Sequence, residues 1–213
     1  MELINITKAL IITHIVFGSI ALISGTISLT TKKGNSLHKK AGKVFYYTLF
    51  ISALISLIVA IMPDHQSPFL FCLGLFSIYF IFGGYRSLKF KKKNILLTLD
   101  KIIAYFIIIL GIIMISYPII LKNKINIVLL NFGAISILFG IIDLFLFRDI
   151  KRINKNWLKI HLLKMTSGYI ASVTAFVVNQ WSLGTLGWFL PAIFGNIYIV
   201  YWFIKLNKKM RLF

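Results

Sequence analysis

Apolar runs of about 20 residues, almost free of charge, recur along this chain, and each is long enough to cross a hydrocarbon core about 30 Å thick as a helix. That feature leaves little chain for a soluble domain. Seven spans are read: Asn5–Thr30, Lys40–Met62, Pro68–Tyr85, Lys101–Leu121, Ile125–Phe147, Trp157–Gln180 and Leu183–Leu206. Backbone groups in lipid have no water to bond, so each segment must satisfy its own, which predicts helices. The alternating pattern of an outer-membrane barrel is absent. The expected fold is all-α, an integral membrane bundle of about seven transmembrane helices forming one domain over residues 1–213. The turns "MPDHQSP", "KNK" and "QWSLG" are short, which favours sequential antiparallel neighbours. Gly18 and Gly25 in the first span, and Gly133 and Gly140 in the fifth, are placed for close helix approach. No convincing internal repeat is visible. The start, "MELINITKALIITHIVFG", reads as a retained helix rather than a cleaved signal.

Composition agrees with a lipid environment. Hydrophobic residues make up 59% of the chain, against about 45–50% in soluble domains. The net charge of +19 comes from 24 Lys and Arg against 5 Asp and Glu. In a soluble protein that balance points to nucleic acid. Here the basic residues sit in short loops, so contact with anionic headgroups is expected and nucleic-acid binding is not. Cys72 is the only cysteine, so no intrachain disulfide can form.

Charge also orients the chain. Twenty of the 24 basic residues fall in the loops after spans one, three and five and in the tail. The opposite side holds Lys8, Lys122 and Lys124, and Lys164 lies within the sixth span, near enough to the basic end to snorkel. The basic side is expected to be cytoplasmic, with the N-terminus outside and the C-terminus inside. Trp181 and Trp188 would mark one interface, Trp157 and Trp202 the other.

The stretches "THIVFGSIALISG", "LHKKAGKVFYYT", "FGGYRSLK", "IIDLFLFRD", "WLKIHLLKMTSGYIASVTAF" and "FLPAIFG", in that order, resemble a family of predicted bacterial membrane proteins known only as a domain of unknown function. The resemblance covers nearly the whole chain. It implies about seven helices in a bacterial inner membrane and implies no activity. Lys39 stands where the family pattern tends to have Arg, which keeps charge but not bidentate contacts.

Ionisable residues inside spans are costly and so mark candidate sites. By depth, His38, Tyr85, Arg86, Asp143 and His161 converge on the cytoplasmic leaflet, and Asp143 could pair with Arg86 or hold a histidine in one tautomer. The competing reading makes His38 and Arg86 interfacial anchors and Asp143 half of a structural ion pair. A second candidate group is His14, Tyr169 and Thr174, nearer the outer leaflet; a hydrogen bond from His14 to Tyr, Thr or Asn of another helix is the bland alternative. His65 falls in an outer turn and is expected to be solvated. Pro191 interrupts the seventh span among Gly187, Gly195 and Asn196.

Two classes of function follow. One is a cofactor-free protein that binds, transports or senses a small molecule, an ion or a lipid at the inner polar group. The alternative is a membrane redox protein holding b-type haem or a metal through His38, His161 and His14, with Lys39, Lys40 or Lys164 meeting the propionates. No span carries two histidines at a spacing that would mark two haems, and no dedicated metal-ligand motif is present. Hydrolytic chemistry has little support, since carboxylates are few and neither HExxH nor GxSxG occurs.

Overall fold

The computed structural model describes residues 2–92 and 95–210. Lys93 and Arg211, counted above among the basic residues, lie outside the described residues, as do the side chains of Lys122 and Lys209. The described residues form seven α-helices and no strand: α1 Glu2–Thr30, α2 Ser36–Val59, α3 Pro68–Arg86, α4 Thr98–Lys122, α5 Ile127–Leu146, α6 Ile150–Gln180 and α7 Leu186–Met210. A 3-10 turn, Ser87–Lys91, follows α3. The chain is an all-α, multi-pass membrane protein. Six of its helices are long and apolar enough to cross a membrane, and α6 is the one that is not.

The helices fall into two compact units, Met1–Phe82 with Leu163–Phe213, and Gly83–Leu162. In the first unit α1 and α2 form an antiparallel hairpin. Asn35 caps α2, its side chain accepting the His38 N–H at 2.7 Å, so α2 begins four residues before the expected Lys40. The core joins Ala21 of α1, Phe45 and Leu49 of α2 and Ile81 of α3, with Met165 and Tyr169 of α6 packed against it.

Residues 168–170 of α6 meet every other helix of this unit. Tyr169 lies on Gly25 of α1 and against Phe45 of α2, Gly168 faces Ile81 of α3, and Ile170 faces Gly195 of α7. A Cβ at Gly25 would come 2.5 Å from the Tyr169 ring, so only glycine admits this approach. A helix enclosed by four others has little lipid contact and needs less hydrophobicity. That accounts for Lys164, Thr166 and Thr174, all buried on α6. Lys164 does not reach an exposed edge: it is 4% exposed, with Nζ 4.2 Å from the Tyr79 ring centroid.

The second unit is built on the α4–α5 hairpin, the end of α3 and the first half of α6. Gly111 and Gly133 face each other so closely that a Cβ on either would come within 2.7 Å of the other's carbonyl oxygen. Phe90, Leu97, Ala104, Phe147, Ile153 and Ile160 form its core. The Asn154 side-chain amide donates to the carbonyls of Phe90 and Lys92, fastening the 3-10 turn to α6. Helix α6 starts at Ile150, seven residues before the expected Trp157, because its basic first turns are helical as well. Helix α7 runs on through Pro191, and α4 contains a second internal proline, Pro118.

Candidate functional site

In the second unit the last turn of α3 gathers polar groups. The carbonyl of Gly84 accepts from His161 Nδ1 at 2.8 Å and from the Ser87 hydroxyl at 2.6 Å. A carbonyl oxygen only accepts, so Nδ1 of His161 carries a proton and the ring is oriented by this bond. Two residues along, Arg86 Nε donates to Asp100 Oδ1 at 2.6 Å, and its Nη2 donates to the Leu96 carbonyl at 2.9 Å. Arg86 thereby ties the end of α3 to the start of α4. Asp100 stands in the first turn of α4, where the helix dipole favours a negative charge.

Asp100 is the residue that depth sorting missed. It lies next to Lys101 at the edge of an apolar run and reads by sequence as a loop acid. In the structure it is 6% exposed, and its second oxygen, Oδ2, is buried with no hydrogen-bond partner. A buried carboxylate oxygen without a donor is costly, more so for a charged group than for a neutral one. The short sequence separation of Arg86 and Asp100, fourteen residues across a turn, was the available clue.

Of the inner residues chosen by sequence, Arg86, Tyr85 and His161 meet at or beside this turn. Asp143 lies on α5 of the same unit, 3% exposed. Arg86, which by sequence could pair with Asp143, forms its ion pair with Asp100. His161 Nδ1 is oriented by the Gly84 carbonyl. His38 belongs to the first unit.

There the α1–α2 hairpin contains a short repeat that apolar periodicity hides. The pattern His, Gly four residues on and Ser ten further on occurs as His14, Gly18, Ser28 and again as His38, Gly42, Ser52. Because the helices run antiparallel, each histidine meets the other copy's serine. His14 Nδ1 lies 2.9 Å from both the carbonyl and the hydroxyl of Ser52. His38 Nδ1 lies 2.9 Å from the Ser28 carbonyl and 3.1 Å from its hydroxyl. The glycines make room: a Cβ at Gly18 would sit 3.3 Å from Ser52 Oγ, and one at Gly42 3.2 Å from Ser28 Oγ.

Of the second sequence-chosen group, Tyr169 bonds away from His14. The Tyr169 hydroxyl pairs with Thr26 Oγ1 at 2.6 Å. Thr26 is twelve residues along α1 from His14, roughly 18 Å on a straight helix. Thr174 is buried on α6.

At the end of α1, Lys33 Nζ donates to the carbonyls of Ser28 and Leu29 at 2.9 and 2.6 Å. The Tyr198 hydroxyl donates to Leu29 O at 2.8 Å. Burial pushes the Lys33 ammonium from its usual 10.5 down to about 8. Among the described residues, no group of three or more His, Cys, Asp or Glu side chains is placed to hold a metal ion. No family model, curated protein or solved structure matches this chain.

Proposed function

We propose that this is a bacterial inner-membrane protein, akin to the uncharacterised membrane family it resembles, that binds a small cation or a proton at a cofactor-free site around Arg86 and Asp100, in transport or sensing. The observation that carries this reading is the buried, unpartnered Oδ2 of Asp100 beside Arg86. The guanidinium neutralises the carboxylate through one oxygen and leaves the other to accept from a proton or a cationic donor. Tyr85 lies in the same turn of α3 as Arg86, and His161 of α6 bonds that turn through the Gly84 carbonyl. Lys89, Lys91, Lys92 and Lys101 surround it in sequence, and by the charge rule this supports a site on the cytoplasmic side.

Purified protein titrated with sodium, potassium and ammonium, at several pH values, tests the reading by thermal unfolding. A ligand of the native state raises the unfolding temperature with its concentration. Asp100→Asn should fold and lose that response. An unresponsive wild-type protein, or an unchanged response in folded Asp100→Asn, sinks the proposal.

A specific observation favours the haem alternative as a second reading. His14 and His38 each hold Nδ1 against a backbone carbonyl, while Nε2 has no hydrogen-bond partner among the described residues. This is the state in which histidines ligate metals. Fourteen residues separate His14 from Ser28, the partner of His38, so the two rings lie roughly 21 Å apart along α1, one towards each end. The residues fit single axial ligands in two places. Bound haem would supply reversible one-electron chemistry. Protein expressed with haem available should then show a Soret band that weakens in His14→Ala and in His38→Ala; a colourless, folded protein dismisses this reading.

A further inference from the structure

The end of α7 and the loop after α1 carry a cluster of cations that the polar site of the second unit does not use. Lys33 Nζ lies 5.3 Å from the Trp202 ring centroid and 5.5 Å from that of Tyr198. Lys205 Nζ lies 4.8 Å from the same Trp202 ring and 5.8 Å from Tyr201. Two ammonium groups thus share one indole. Neither pairs with an acid among the described residues. Two hydrogen bonds from Lys33 go to backbone carbonyls, which are neutral, so the positive charge of the pair is uncompensated among the described residues. Lys208 adds a further exposed cation one turn beyond Lys205.

The same helix offers an apolar track leading to these cations. Ile197, Val200, Tyr201 and Ile204 are exposed at helical positions i, i+3, i+4 and i+7, Tyr201 at 57%. They lie within the candidate span of α7, whose last turn carries Lys205 and Lys208. A ligand that matches the whole surface is an amphiphile with an anionic head and an apolar tail. A phosphodiester suits the head, because its two non-bridging oxygens can each face one ammonium. Trp and Tyr at a span end are the side chains that settle at headgroup depth.

We propose that Lys33, Trp202 and Lys205 form a seat for the phosphate of an anionic phospholipid, with an acyl chain lying along Ile197, Val200 and Ile204. Charge complementarity selects the anionic lipid over a zwitterionic one, and the apolar track selects the lipid over free phosphate. The seat fastens the ends of α1 and α7, where Lys33 and Tyr198 both bond the last carbonyls of α1.

Native mass spectrometry of the detergent-purified full chain provides the test, with phosphatidylglycerol, phosphatidylcholine and inorganic phosphate as probes. Wild-type protein should retain phosphatidylglycerol in preference to phosphatidylcholine, and phosphate at matched concentration should not displace it. Lys205→Gln, at an exposed position without hydrogen bonds, should weaken that preference about fivefold, the effect of one cation at an anionic surface. Lys33→Gln with Lys205→Gln should abolish it, while Lys151→Gln in the second unit leaves it intact. An equal loss in Lys151→Gln, or an undiminished preference in the Lys205 variant, overturns the site. Displacement by free phosphate would make it a soluble-anion site and overturn the lipid assignment.

Discussion

Ser52 grips His14 at both ends: Nδ1 of His14 donates to the Ser52 carbonyl at 2.9 Å, and the Ser52 hydroxyl donates to the His14 carbonyl at 3.1 Å. The mirrored clasp of His38 on Ser28 makes α1–α2 a hairpin stitched at two levels by one repeated pattern. Interhelical hydrogen bonds in membranes average about 0.6 kcal/mol and reach about 1.7. Ser52→Ala keeps the carbonyl acceptor and should cost less than about 1 kcal/mol, whereas His14→Ala, which also opens a cavity, should cost about 1–3 kcal/mol. Reversible unfolding in mixed micelles measures both. A His14→Ala/Ser52→Ala double variant whose effect is the sum of the singles would show that the two side chains do not interact.

Arg86 and Asp100 should behave asymmetrically on mutation. Arg86→Met strands a buried carboxylate and should destabilise by about 3–5 kcal/mol. The double variant Arg86→Met/Asp100→Leu removes both charges and should recover most of that loss. Chemical unfolding of the single and double variants checks this. A double variant no more stable than Arg86→Met argues that the pair is held for its shape and not for its charge.

Gly25 is a steric requirement. Gly25→Ala drives a methyl group into the Tyr169 ring and should cost about 1–3 kcal/mol. Adding Tyr169→Leu should relieve the clash while losing the bond to Thr26. If Gly25→Ala unfolds at the wild-type temperature, α1 and α6 do not pack as closely as described.

Lys33 makes stability depend on pH in a defined direction. Its folded-state value is about 8 against an ordinary 10.5, so between these limits the unfolded chain binds more protons than the folded one. Stability from this group therefore rises as pH increases from about 8 to 10.5, and the cost of burying the charge is fully present below about 8. Wild-type and Lys33→Gln proteins compared from pH 7 to 10 should show a steeper rise in the wild type. Parallel curves would mean that Lys33 is fully hydrated in the folded protein.

Sequence alone determined what the solvent demands: hydrophobic length fixes the existence of the helices, and all seven appear, six with both ends within four residues of the spans read from it and α6 with its start seven residues early. It also picked Gly18, Gly25, Gly133 and Gly140 at close contacts, because small residues in apolar runs have few other uses, while Gly111 and Gly168 went unread. It could not distinguish a helix facing lipid from one enclosed by protein, and α6 fails a composition test for that reason. Nor could it choose Arg86's partner, since depth along an axis carries no lateral information. Only the pairing of the last turn of α3 with the start of α4 brought Asp100, a loop acid by sequence, to the guanidinium. The repeat in α1 and α2 was present in the letters from the start. It acquired meaning once antiparallel packing set His14 opposite Ser52 and His38 opposite Ser28, because a hydrogen bond depends on position in three dimensions and hydropathy on position in one.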